Sequence, residues 1–132
     1  MTKKILISTK SRAELLDITS KVEDAVKESK TKSGVCHIFV PHTTAAVTIN
    51  ENYDPDVKKD IILSLSRIVP KDASYRHSEG NSDAHIKASL IGTSETILFR
   101  AGKLVLGQWQ GIMLCEFDGP RNRRVIVELL ST

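Results

Sequence analysis

The chain has 132 residues, 40% of them hydrophobic and 27% charged, with a formal net charge of +3. This is the length of one domain, able to bury roughly two-thirds of the surface that its unfolded chain would expose. No apolar run approaches the roughly 20 residues needed to cross a bilayer, and the charge excess is too small to mark a nucleic-acid binder. The start, charged lysines followed by the brief Ile5-Leu6-Ile7, is too short for the apolar region of a signal peptide, so cytoplasmic residence is expected. Cys36 and Cys115 lie in apolar stretches without CxxC spacing and read as buried, reduced thiols.

Lys3 to Thr9 reads as an opening strand. Ile18, Val22, Ala25 and Val26 then follow the rhythm of an amphipathic helix, with Asp17 or Thr19 as its cap and an end in the polar run Ser29 to Ser33. Gly34 to Val40 and Thr44 to Asn50 are rich in β-branched residues and read as two strands joined through Pro41-His42-Thr43. Asp54-Pro55 opens a second helix, an Asx cap followed by proline where the missing N–H costs little. Val57, Ile61, Leu65 and Ile68 line one face of that helix, and Pro70 stops it. After the polar loop Lys71 to Glu79, a short helix is expected from about Ser82 to Leu90, capped by Asn81 or Ser82 and ended by Gly92. The remainder reads as β: Thr96 to Phe99 and Leu104 to Leu106 around the turn Ala101-Gly102, Trp109 to Phe117, and Val125 to Leu130 after Asp118-Gly119-Pro120. Short connections between most strands favour antiparallel pairing. The class is therefore α+β, in a single domain spanning 1–132 with about three helices.

The stretch from His77 to His85 holds two histidines, Glu79, Asn81 and Asp83 within nine residues. Such a composition contributes almost nothing to a hydrophobic core, so it asks for a chemical role. His42 lies at a strand end behind a proline, whose fixed backbone aims the imidazole from a rigid edge. Imidazoles at element edges are raw material for a metal or acid–base site. His77 and His85 are eight residues apart, which matches neither an HxxxH pair nor a zinc-finger spacing. Taken singly, each histidine is more readily structural or idle; together with their polar neighbours, the balance turns to a site. His37, alternating with apolar residues inside a strand, reads as a core or interface histidine. A second polar cluster, Asn50-Glu51-Asn52-Tyr53-Asp54-Pro55-Asp56, lies at a strand-to-helix junction, where capping competes with ligand contact as the explanation. The only tryptophan lies in Gly107-Gln108-Trp109-Gln110-Gly111, where packing and ligand stacking are equally open. Arg121-Asn122-Arg123-Arg124 is either a solvated turn or a phosphate-binding fork, and it lacks the interleaved aromatics of a single-strand groove.

Three of these strings, in this order, resemble the YjbQ family, whose members are described as secondary thiamine-phosphate synthases or as uncharacterised. The first is Pro41-His42-Thr43-Thr44-Ala45 followed by Thr48 to Asn52 and Asp56. The second is His77 to His85, one residue shorter than the family's His-x-x-Glu-Gly-Asn-x-x-Ala-His. The third is Leu106-Gly107-Gln108-Trp109-Gln110-Gly111-Ile112, in which Gln108 replaces a usual threonine. The resemblance covers nearly the whole chain. It implies a compact α+β fold with a strongly curved, mostly antiparallel sheet and assembly as a homotrimer. It also implies that His42, His77 and His85 converge near a subunit boundary on a metal, zinc first and magnesium second, or on an anion.

The function this implies is a transferase acting on a phosphorylated small molecule, joining a pyrimidine pyrophosphate to a thiazole phosphate as thiamine-phosphate synthases do. His77, His85, Glu79 and Glu51 would be its catalytic residues. Thr43, Thr44, Asn50, Asn52, Asn81, Arg121 and Arg124 would contact substrate, the arginines neutralising the leaving pyrophosphate. Neither nucleic acid nor a membrane is an expected partner. Two rivals use the same residues: a metal-dependent hydrolase with Glu79 as general base, and a non-enzymatic trimer that binds metal or ligand.

Overall fold

A computed structural model describes residues 1–132. Eight strands and three helices follow one another as β1 (Thr2–Ser8), β2 (Glu14–Asp17), α1 (Thr19–Ser29), β3 (Gly34–Phe39), β4 (Ala45–Glu51), α2 (Pro55–Ile68), α3 (Ser82–Ile91), β5 (Ser94–Arg100), β6 (Lys103–Leu104), β7 (Gln110–Glu116) and β8 (Asn122–Ser131). The strands form two sheets, one of five in the order β1-β8-β3-β5-β6 and one of three in the order β2-β7-β4. Every pairing is antiparallel. The α+β class and the three helices are as the residue patterns led one to expect. No helix is long and apolar enough to cross a membrane.

The packing follows from strand alternation, which sends successive side chains to opposite faces. In β7, Ile112 and Leu114 join the main core, while Met113 and Cys115, with Phe117 just beyond the strand, point the other way into a second cluster. The main core is filled by α1 through Val22, Ala25 and Val26, by the inner face of the five-stranded sheet, and by one face of the three-stranded sheet. The second cluster is closed by Ala84 and Ala88 of α3 and by the half-buried Ile61, Ile62 and Leu65 of α2. The three-stranded sheet is therefore covered on both faces, which is why β7 reads as a continuous apolar run.

Four expectations need correction. Glu14–Asp17, unassigned in the sequence, is a strand: it pairs with β7 from Glu14↔Glu116 to Asp17↔Met113. The stretch Leu104 to Leu106 contributes only Lys103–Leu104 to the sheet, and Trp109 lies just outside β7. The apolar face of α2 is only half-covered, and its last member, Ile68, is 69% exposed. Both cysteines are buried and free; burial pushes the Cys36 thiol up to about 11 and that of Cys115 to about 12, so neither supplies a thiolate near neutral pH.

Candidate functional site

The loop after α2 turns into α3 at Gly80, whose φ of 78° is the left-handed conformation that glycine adopts without strain. Asn81 takes the N-cap position of α3 as expected, but its side chain does not cap the helix. Instead its Nδ2 donates to Asp118 Oδ2 at 2.8 Å. Asn81 is buried, and its Oδ1 has no partner. Asp83, in the first turn of α3, is fully buried. It accepts from both terminal nitrogens of Arg12 at 3.0 and 3.2 Å and from Lys87 at 3.1 Å. Burial alone would raise its pKa, and these two cations outweigh it and hold the carboxyl below its usual range. Asp83 therefore anchors α3, and its polarity is spent on the protein itself.

His42 stands on the connection from β3 to β4. Its Nε2 accepts from the backbone N–H of Arg124 at 3.0 Å. Burial, then the charges of Arg123 and Arg124, hold the pKa of His42 below the ordinary imidazole value. Behind it lies a buried ion pair: Arg123 donates to Glu116 at 2.5 and 2.9 Å and to Thr44 Oγ1 at 2.8 Å. Glu116 also accepts from Thr9 Oγ1 at 2.7 Å and from the Asp118 N–H at 3.0 Å. Burial raises the Glu116 pKa, but Arg123 and Thr9 more than offset it, and the carboxyl stays below its usual range. Asp118 is likewise raised by burial and lowered further by Asn81 and Arg121.

These elements enclose a cleft of about 350 Å³, bordered by residues 41–44, by Glu79, Asn81 and His85, and by Asp118, Arg121 and Arg123. Apart from Pro41, every one of these residues is polar. Arg121 binds Asp118 through Nε and Nη2, which leaves its Nη1 free. His77 meets His85 edge to face with ring centres 5.3 Å apart, and its Nε2 is 3.5 Å from Glu79 Oε2.

The expected site residues thus separate. His42, Thr43, Thr44, Glu79, Asn81, His85 and Arg121 border one cleft, with His77 against its rim. Arg124 lies across His42, in a neighbouring groove shared with Leu6 and Ser8. Asn50, Glu51 and Asn52 are at the other end of β4, roughly 23 Å from Thr44 at 3.3 Å per strand residue. There Asn50 Oδ1 accepts from the Glu51 N–H at 2.6 Å. The Asn52 side chain covers Gly111 so closely that a Cβ on that glycine would fall 2.5 Å from the Cβ of Asn52. Asp54 caps α2 by accepting from the Asp56 N–H at 2.9 Å. Tyr53 and Trp109 meet edge to face at 4.9 Å, both exposed. Within one chain, then, Glu51 does not share a cleft with the histidines.

Three residues escaped the sequence reading. Asp118 looked only like a turn former, and Arg123 only like one of a basic string. Glu116 carried a signal, a single carboxylate within the otherwise apolar run Ile112 to Phe117.

The donors fit a metal only in part. Two imidazoles on one tetrahedral ion, with N–metal distances near 2 Å, place their ring centres roughly 5 Å apart, as His77 and His85 do. His42 does not complete the set, because its Nε2 lone pair already accepts from Arg124. No group of three or more His, Cys, Asp or Glu side chains is arranged to hold an ion.

Residues 3–132 match the model of a family described as UPF0047 protein YjbQ-like. A UPF0047 protein of Methanocaldococcus jannaschii is 55% identical, covering 97% of this chain and 93% of its own length. The UPF0047 protein YugU of Bacillus subtilis is 46% identical over 99% of this chain and all of its own. Among solved structures, a YjbQ/UPF0047 family protein of Clostridium acetobutylicum superposes with a TM-score of 0.95 at 50% identity, covering 97% of this chain and 99% of that one. A protein of unknown function from Sulfolobus solfataricus does so with a TM-score of 0.96 at 38% identity, covering 100% and 97%.

Proposed function

The chain belongs to the UPF0047, YjbQ-like family, and from that premise we propose that it is an enzyme acting on a phosphorylated small molecule at the cleft between His42 and His85. The observation that carries this reading is the cleft's chemistry. Its walls are polar, and the buried Asn81 Oδ1 lacks any partner. A buried acceptor without a partner costs about 1–3 kcal/mol, a cost that a ligand N–H or O–H would remove. The first turn of α3, uncapped by a side chain, adds amide groups suited to an anion, and Arg121 adds a cation. The volume lies within the range of small-molecule sites.

The reaction we propose is of the thiamine-phosphate synthase type. The ring nitrogen of a thiazole phosphate forms a bond to the methylene carbon of a pyrimidine pyrophosphate, the C–O bond breaks, and pyrophosphate leaves with the electron pair. His42 and Arg121 would hold the anion, and Asn81 would orient a donor group of the substrate. A divalent ion, zinc or magnesium, is an additional proposal; His77 and His85 are the residues suited to it, and it would neutralise pyrophosphate charge. Assembly as a homotrimer is likewise proposed, since a neighbouring copy is what could bring Glu51 and Asn52 to the histidines.

Incubating the full chain with both substrates and magnesium is the test. Expected are equimolar thiamine phosphate and pyrophosphate, and a loss of tenfold or more in kcat/KM for Asn81→Ala. The His77–Glu79 contact favours a second reading, hydrolysis with that pair as acid–base machinery. Release of phosphate or pyrophosphate without thiamine phosphate would establish it in place of the first. Binding of pyrophosphate with no turnover would reduce the protein to a ligand binder.

A further inference from the structure

The bond between His42 and Arg124 occupies a place where the sheet runs out of partners. Along β8, odd-numbered residues face β1: the Arg121 C=O accepts from the Thr9 N–H, and the Leu129 N–H donates to the Met1 C=O, both at 2.9 Å. Even-numbered residues therefore face β3, as the Thr132 N–H does just beyond the strand in donating to the Ser33 C=O at 3.2 Å. β3 ends at Phe39, opposite Ile126. The Arg124 N–H, next along that side, thus has no strand carbonyl to meet. The His42 ring supplies the missing acceptor.

A backbone N–H only donates. To accept from it, Nε2 must present its lone pair, so in this arrangement the ring is neutral and its proton sits on Nδ1. None of the protein's hydrogen bonds uses that Nδ1. The lock is held from behind. Arg123, next to Arg124, is fixed by the buried carboxylate of Glu116 and by Thr44, so β8 and the 41–44 connection are pinned together beside the His42 contact.

We propose that His42 is a neutral Nδ1–H hydrogen-bond donor to an anionic oxygen of the ligand, locked in that tautomer by the Arg124 backbone amide, and not a metal ligand. The donor role rests on the phosphate-binding reading of the cleft; the tautomer lock stands apart from it. Glu116 and Arg123 are positioning residues for this arrangement.

Long-range 1H–15N correlation spectra of the histidine rings in the full chain, recorded at neutral pH without phosphate, test the lock directly. Expected are a protonated Nδ1 and an unprotonated Nε2 on His42, with coupling across the hydrogen bond to the Arg124 amide. A proton on Nε2, or a charged ring, overturns the lock. Adding inorganic pyrophosphate is expected to shift Nδ1 and slow the exchange of its proton; an unmoved Nδ1 overturns the donor role while leaving the tautomer result intact. Zinc is expected to perturb His77 and His85 and to leave the His42 nitrogens in place; a metal-bound His42 overturns the proposal. His42→Gln places a carbonyl oxygen where Nε2 sits and removes the Nδ1 donor. It is expected to keep the wild-type melting temperature and to bind pyrophosphate about tenfold more weakly, the worth of one hydrogen bond. Undiminished binding by H42Q refutes the donor role.

Discussion

The two ends of β4 are made of similar material and come to opposite results. At the Thr44 end, buried carboxylates are held by cations: Glu116 by the buried Arg123, and Asp83 by the buried Lys87 and the half-exposed Arg12. Above them an acceptor on Asn81 is left over. At the Glu51 end, polar side chains mostly satisfy the backbone around them, Asn50 through the Glu51 N–H and Asp54 through the cap of α2. The orphaned Oδ1 of Asn52 sits where its side chain packs on Gly111 rather than in a polar cleft. Burial of charge in rigid pairs makes a framework that can present other groups without collapsing around them. Local capping uses polarity up where it stands. This is why one end carries the candidate site and the other, within a single chain, reads as structural.

Substitutions at matched positions sharpen that contrast. The largest effect is expected from Glu116→Ala, which leaves Arg123 buried without its carboxylate and should cost roughly 3–5 kcal/mol. Glu51→Ala, at the far end, should stay within about 0.5 kcal/mol. Equilibrium urea unfolding of both variants reads the difference, and equal losses would erase the distinction between the ends.

Gly111→Ala comes next, at about 1–3 kcal/mol, because the new Cβ meets the Cβ of Asn52 at 2.5 Å. A near-neutral result by thermal melting would mean that the Glu51 end yields easily and is less firmly packed than it looks.

The smallest expected effect is on pH dependence. Glu116, Asp83 and Asp118 at the cleft end, and Asp17 at the other, have carboxyls held below their ordinary values of 4.5 for Glu and 3.8 for Asp. On acidification the unfolded chain takes up these protons first. The contribution to stability is therefore complete above about pH 4.5 and is lost as pH falls through the depressed native values. Glu116→Gln should flatten that acid slope more than Asp17→Asn does, as urea midpoints measured between neutral pH and pH 3 would register. A larger flattening by Asp17→Asn would place the acid sensitivity at the wrong end.

Much of this architecture was legible in the chain. Helix α2 announced itself through Asp54-Pro55 and the spacing of Val57, Ile61 and Leu65, and the β-branched runs marked β3 and β4. β2 was missed because Glu14-Leu15-Leu16-Asp17 is four residues with no alternation; it is a strand only because β7 lies beside it. Asn81, one of the two cap positions expected for α3, takes the N-cap, but its amide's bond to Asp118 was not legible, since that carboxylate lies 37 residues away. That Glu51 and the histidines stand apart within one chain was not legible for a related reason: a shared family pattern does not reveal that a seven-residue strand separates them.

The sequence by itself determined the class of fold, the three helices and the family, because helix and strand periods, caps and motif strings are local properties. It also brought His42, Glu79, Asn81 and His85 forward as polar residues in want of a purpose. Only the tertiary structure decided which of them meet and which groups hold them there. Arg12 reaches Asp83 across 71 residues, and Arg124 meets His42 across 82. Such pairings depend on strand register and on where β3 ends, and burial turns a carboxylate such as Asp83 from a solvated charge into part of a framework.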